Sequence, residues 1–189
     1  DRITLTNAPE DVPWDDLDKQ VSLYVSMKET NTTLKSDGTI DQWITPERER
    51  ALYDFVSGGG AALFIHNGLV GFPTDSLYHR LTGGVFIQHP PLTRVSYVPV
   101  NRDHPIVRGG ELFSGEDEKY FCHIDVAGVD AVFLAGDDPR HPGSIAGWCR
   151  TVGQGRTAAV TPGHTDEIVN QPAMTRLIQN CAEWVMKRR

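Results

Sequence analysis

The chain has 189 residues, 39% of them hydrophobic and 23% charged, with a formal net charge of −7. That length and balance fit one globular domain with a sizeable core. The acidic surplus disfavours a nucleic-acid or anionic-membrane partner, and no apolar run approaches the roughly 20 residues that cross a bilayer.

The chain opens at Asp1 with no secretory signal pattern, so a cytoplasmic protein is expected, with export left open. Residues 2–6 read as a short strand and Pro13-Trp14-Asp15-Asp16-Leu17 as one helical turn. Residues 21–26 alternate apolar and polar, as a strand does. Residues 28–43 are polar and carry Ser36-Asp37-Gly38, which predicts a loop; Asn31-Thr32-Thr33 within it is a glycosylation sequon.

Thr45-Pro46-Glu47 predicts a helix start: a capping hydroxyl, proline at the first position and an acid in the first turn. Ala51, Leu52, Phe55 and Val56 form its apolar face, and Gly58-Gly59-Gly60 ends it. Residues 61–65 are uninterrupted hydrophobes, the pattern of a strand covered on both faces, and they stop at His66-Asn67-Gly68. A helix is expected over 74–81 and a strand over 93–100, followed by a turn at Asn101-Arg102-Asp103-His104-Pro105. Residues 120–124 and 131–135 read as strands, and 145–151 with 156–161 as a hairpin across Gly153-Gln154-Gly155. The last helix, over 171–187, turns Met174, Leu177, Ile178, Cys181, Trp184 and Val185 inward. Helix and strand alternation implies a parallel sheet with helices on both faces and an antiparallel extension.

Ligands in open α/β sheets bind beyond the carboxyl ends of the strands. Three polar groups fall there: His66 after the buried strand, Glu118 with Asp117 at or before the strand that carries Tyr120, and His164 after Pro162-Gly163. Two histidines and one carboxylate match a catalytic zinc set or a facial iron triad. A neutral imidazole at position 66 serves equally as a base with an ordinary pKa of about 6.5. Cys122, Cys149 and Cys181 match no zinc spacing and read as small buried hydrophobes. His104 reads as a turn former, His123 as structural, and His79 and His141 as surface positions.

Gly58-Gly59-Gly60, Phe64-Ile65-His66-Asn67-Gly68, Leu81-Thr82-Gly83-Gly84 and His89-Pro90 occur in that order. They are followed by Asp103-His104-Pro105-Ile106, Asp117-Glu118-Lys119-Tyr120, Trp148, Gly153-Gln154-Gly155-Arg156, Gly163-His164 and Trp184. Over residues 46–187 this series resembles the ThuA (trehalose utilisation) family. The resemblance implies a flavodoxin-like, class I glutamine amidotransferase-like three-layer sandwich with a mostly parallel sheet, and carbohydrate metabolism as the setting. It also implies a single ThuA-like domain over 1–189 that lacks the family's first strand and helix, since the first strand read here looks like the family's second. Amidotransferases keep a nucleophilic cysteine at the turn after the buried strand, where this chain has His66, so thiol chemistry is not expected.

The expected site therefore has His66, Glu118 and His164 as catalytic residues or as ligands of one divalent metal such as zinc. Asn67, Tyr120 and His89 are expected to bind the substrate, a small-molecule carbohydrate; a homo-oligomer is left open. The expected chemistry is metal-assisted or histidine-based hydrolysis, isomerisation or elimination on a sugar derivative. The alternative is a non-catalytic sugar-binding or assembly domain, which fold alone does not exclude.

Overall fold

The structure is a computed structural model that describes residues 3–34, 36–38 and 40–187. Its elements in chain order begin with α1 (Leu17–Gln20), β1 (Tyr24–Ser26), β2 (Asn31–Leu34), β3 (Ile40–Gln42), α2 (Pro46–Ser57), β4 (Ala61–Ile65) and α3 (Leu77–Thr82). Four more strands follow: β5 (Gly84–Gln88), β6 (Thr93–Pro99), β7 (Phe113–Asp117) and β8 (Phe121–Ile124). The chain ends with β9 (Ala131–Asp137), β10 (Ser144–Val152), β11 (Gly155–Val160), α4 (Asp166–Val169) and α5 (Pro172–Val185). None of the described helices is long and apolar enough to cross a membrane.

Seven strands form one mixed sheet in the order β1-β4-β11-β10-β9-β6-β7. The pairs β1–β4 and β4–β11 are parallel; β11–β10, β10–β9, β9–β6 and β6–β7 are antiparallel. Five strands (β1, β4, β11, β9 and β7) consequently run the same way, which makes the sheet mostly parallel in direction although most neighbours pair antiparallel. Their carboxyl ends share one rim of the sheet. That rim receives His66, Glu118, Asp138 and the loop carrying His164.

Local chemistry explains the elements that set this rim. Thr45 caps α2 by accepting the Arg48 amide at 3.3 Å, and Pro46 stands at its first position. Every residue of β4 is buried, and its alternate side chains enter two separate cores. Ala61, Leu63 and Ile65 pack with Met174, Leu177, Cys181 and Val185 of α5. Ala62 and Phe64 pack on the opposite face with Leu52, Phe55 and Val56 of α2 and Tyr78 and Leu81 of α3. A strand covered from both sides has no polar face, which is why its sequence shows no alternation.

Several expectations need correction. Residues 3–6 form no strand: Ile3 is 90% exposed and Leu5 96%, and they pair with no strand among the described residues; residue 2 lies outside the described residues. The segment expected as a loop over 28–43 contains the antiparallel pair β2–β3. The helix expected from residue 74 starts at Leu77, because Ser76 caps it by accepting the His79 amide. Strands β5 and β7 were not expected, and Asp117 ends β7 rather than opening the strand after Tyr120. His79 is buried at 6% exposure, not a surface residue.

Candidate functional site

The centre of the rim is the turn after β4. His66 takes φ +47°, a left-handed conformation that costs a non-glycine residue about 1–3 kcal/mol and persists only where its surroundings enforce it. Two glycines make the turn sterically open. A Cβ on Gly68 would collide with the Ser26 carbonyl oxygen at the end of β1. Gly163, at φ +145°, passes so close that a Cβ would sit 3.2 Å from His66 Cβ.

The ring of His66 is 3% exposed by residue area and its Nδ1 lies 2.8 Å from the Thr161 carbonyl oxygen. A carbonyl oxygen only accepts, so Nδ1 carries the proton and donates it. Burial lowers the pKa of His66 below its ordinary value, outweighing the Thr161 bond and the charges of Asp117 and Glu118, which act the other way. The neutral ring therefore presents a bare lone pair on Nε2. That atom is buried and has no hydrogen-bond partner among the described residues, yet it stands 3.4 Å from Glu118 Oε2. The contact is within ion-pair distance but lacks the alignment of a hydrogen bond.

His164 brings a third ligand atom: its Nδ1 lies 3.2 Å from the same Glu118 oxygen. The ligand atoms of His66, Glu118 and His164 all fall within 4.8 Å of one another. Ligands held about 2.1 Å from one divalent ion stand roughly 3.0–3.4 Å apart at octahedral to tetrahedral angles. The 3.4 and 3.2 Å separations match that spacing. The Thr161 carbonyl that orients His66 is the kind of outer partner that metal-bound histidines use. Donor set, spacing and orphaned lone pair thus all fit a divalent cation.

The other three expected residues surround this cluster. The Tyr120 ring stacks on His66 with centroids 4.2 Å apart and meets Phe86 on a second contact at 4.4 Å. Its hydroxyl donates to Asn67 Oδ1 at 3.0 Å. Burial first, then the Glu118 charge, push the Tyr120 phenol above its ordinary pKa, so it remains a donor at neutral pH. His89 Nε2 lies 3.5 Å from Glu118 Oε1, the second oxygen of that carboxylate. All six sequence-predicted residues therefore meet at one place.

Two supports were not apparent from sequence. The fully buried Asp117 carboxylate accepts the Tyr97 hydroxyl at 2.7 Å and the Gly163 amide at 3.1 Å on Oδ2, and the His164 amide at 2.9 Å on Oδ1. It ties the His164 loop to the end of β7. Lys119 turns the opposite way from Glu118 and Tyr120 and forms a buried ion pair with Asp138 at 3.0 Å, their side chains 1% and 2% exposed. Lys119 also donates to the His141 carbonyl. Burial alone would raise the Asp138 carboxyl, but the Arg140 amide, Lys119 and the His141 amide outweigh it and hold the pKa at about 2. Residues 117–120 thus join the ends of β4, β7, β9 and β11. The only sequence signal for these supports was the unbroken polar run Asp117-Glu118-Lys119 beside a tyrosine.

None of the three thiols joins the cluster. Cys149 and Cys181 are fully buried in the α5 core, and Cys122 packs against the opposite one. Burial pushes Cys122 and Cys149 up to about 12 and raises Cys181 further.

Comparison with known proteins agrees with this architecture. A ThuA-like protein from Parabacteroides merdae superimposes with a TM-score of 0.73 at 13% identity, over 96% of this chain and 75% of that one. A ThuA-like protein from Bacteroides uniformis gives 0.71 at 18% identity, over 95% and 75%. A protein of Salmonella typhimurium described as cytoplasmic gives 0.63 at 15% identity, over 97% and 76%. No curated protein matches the chain. The family model described as trehalose utilisation, ThuA, matches residues 9–185, and the chain belongs to that family.

Proposed function

We propose that this protein processes a sugar derivative in the cytoplasm, with His66, Glu118 and His164 holding one divalent cation. The observation that carries this reading is the Nε2 of His66, buried, without a hydrogen-bond partner among the described residues and 3.4 Å from a Glu118 oxygen. Two electron-rich groups at that distance repel unless a cation sits between them. Family membership supports the sugar class, and the Salmonella neighbour's description supports the compartment.

The site argues against the two-carboxylate mechanism of most glycosidases. Asp117 is the second nearby carboxylate, and its oxygens are already engaged by Tyr97, Gly163 and His164. A bound divalent ion would supply a Lewis acid and a base that works at neutral pH. Around it, the chain provides a phenol donor at Tyr120, the side-chain amide of Asn67, and His89 poised at the outer oxygen of Glu118. Those groups orient hydroxyls and move protons, which suits hydrolysis, isomerisation or elimination on a sugar.

The test is metal content and its dependence on these side chains. The purified chain, loaded with zinc or manganese and desalted, is expected to retain one ion per chain. His66→Ala, Glu118→Gln and His164→Ala are each expected to lose it while keeping a native circular-dichroism spectrum. A folded wild-type chain that retains no ion above background refutes the cation site and leaves a metal-free sugar-binding domain as the better reading.

A further inference from the structure

One sizeable cavity of the protein lies apart from the histidine cluster. It is a cleft of about 740 Å³ on the β1 side, bounded by the first turns of the chain and the start of α2. Trp14 and Trp43 line it, with ring centroids 6.2 Å apart at an angle of 32°. Both indole N–H groups are spent inside the protein: Trp14 donates to the Pro9 carbonyl at 2.7 Å, Trp43 to the Glu29 carbonyl at 2.6 Å. What the two rings offer the cleft is apolar surface.

The polar lining differs from ordinary surface charge in its balance. Glu10, Asp15 and Lys28 have no protein partner among the described residues. Arg48 is held in place, donating to the Trp43 carbonyl at 2.7 Å with its guanidinium 5.7 Å from the Trp14 ring. With Glu47 the lining has three carboxylates against two cations, Lys28 and Arg48, around an aromatic wall, so the cleft holds no strong excess of either charge. A neutral polyhydroxylated ring fits both features, with C–H faces for indole and hydroxyls for carboxylate and ammonium. The cleft also lies at the edge of the sheet, where the chain leaving β1 brings Lys28 into its lining.

We infer that this cleft is a second carbohydrate-binding site, sized for a neutral disaccharide or longer glycan and separate from the His66 cluster. The sugar class rests on the reading above, but the binding needs no metal, and the experiment keeps the two apart.

The full chain, freed of metal by chelation, is titrated with trehalose, maltose and lactose while tryptophan emission and saturation-transfer NMR are followed. At least one disaccharide is expected to bind with a dissociation constant on the order of 1 mM and to shift the emission. Trp14→Ala is expected to weaken it about tenfold, the loss of one ring face. Glu10→Gln and Asp15→Asn, exposed and conservative, guard against misfolding; each is expected to weaken binding about threefold. Glu118→Gln is expected to leave it unchanged. No response to any sugar at about 50 mM, or binding indifferent to Trp14→Ala and to both carboxamide variants, overturns the inference. So does binding abolished by Glu118→Gln, which would locate the sugar at the histidine cluster.

Discussion

Replacing Lys119 by Met tests whether the site depends on a support it never touches. The methionine keeps most of the volume but removes the charge, leaving Asp138 buried with the Arg140 and His141 amides and the half-exposed His141 ring, whose Nδ1 lies 3.2 Å from Oδ2. Breaking a buried pair from one side costs about 3–5 kcal/mol, because the remaining charge is uncompensated. For a chain of this size that lowers the unfolding midpoint by roughly 6–20 °C. Thermal unfolding followed by circular dichroism reads the stability, and metal affinity well below the midpoint reads the site. Glu118 and Tyr120 flank Lys119, so a released backbone misplaces both, and metal affinity is expected to fall about 10–100-fold. Lys119→Met/Asp138→Leu removes both charges and is expected to recover most of the stability. A loss under about 1 kcal/mol in Lys119→Met means the pair is effectively solvated and the reasoning fails. Full stability loss with unchanged metal affinity refutes the positioning role alone.

The depressed Asp138 carboxyl contributes stability that is complete above its unfolded value near 3.8 and is lost as pH falls toward about 2, on the order of 2 kcal/mol; acid titration of Asp138→Asn with Lys119→Met against wild type measures it. His66 works in a different window. Its folded pKa lies below 6.5, so the unfolded chain binds the extra proton first and stability falls as pH drops below about 6.5. In chelator, the unfolding midpoint of wild type should drop more between pH 7.5 and 5.5 than that of His66→Gln; equal drops contradict the buried neutral ring. Gly163→Ala places a methyl on a left-handed backbone beside His66 and is expected to cost about 1–3 kcal/mol and to weaken metal retention; a neutral outcome would mean the two loops are not in contact. The native thiols should resist iodoacetamide at pH 7.5 and react only on unfolding, so a cysteine alkylated at the rate of a free thiol would revive thiol chemistry.

What could be read from sequence follows from how local each signal is. The buried run 61–65, the capped start of α2 and the apolar stripe of α5 each lie within one element, and each formed where expected. Strand β7 did not announce itself because Phe113-Ser114-Gly115-Glu116-Asp117 is mostly polar and small; its pairing partner β6 decides it. The β2–β3 pair was hidden by its own turn residues, which look like a loop from outside. At the site, His66 was legible because a histidine ending an apolar strand must lie on the rim of the sheet. Glu118 and His164 followed from the same rule. The ion pair of Lys119 with Asp138 joins positions 19 residues apart across two strand ends, and no local pattern encodes it.

The left-handed His66 shows why the supports matter. A strained residue returns to a relaxed conformation unless neighbouring groups hold it. Here the Thr161 carbonyl holds the ring, Tyr120 lies flat against it, and Gly163 closes over its Cβ. Thr161 and Gly163 belong to one loop, and that loop is fixed through its amides by Asp117. Tyr120 belongs to the segment fixed by Lys119. Two buried carboxylates that touch no ligand, Asp117 and Asp138, therefore decide whether the lone pair of His66 faces Glu118 or turns away. On this physical account Asp117→Asn should be more damaging than its small change suggests. The asparagine keeps one acceptor oxygen but turns two hydrogens toward amides or a phenol that need acceptors. His164 is then expected to lose its place before the core unfolds, with metal retention falling at temperatures where the far-ultraviolet spectrum is still native.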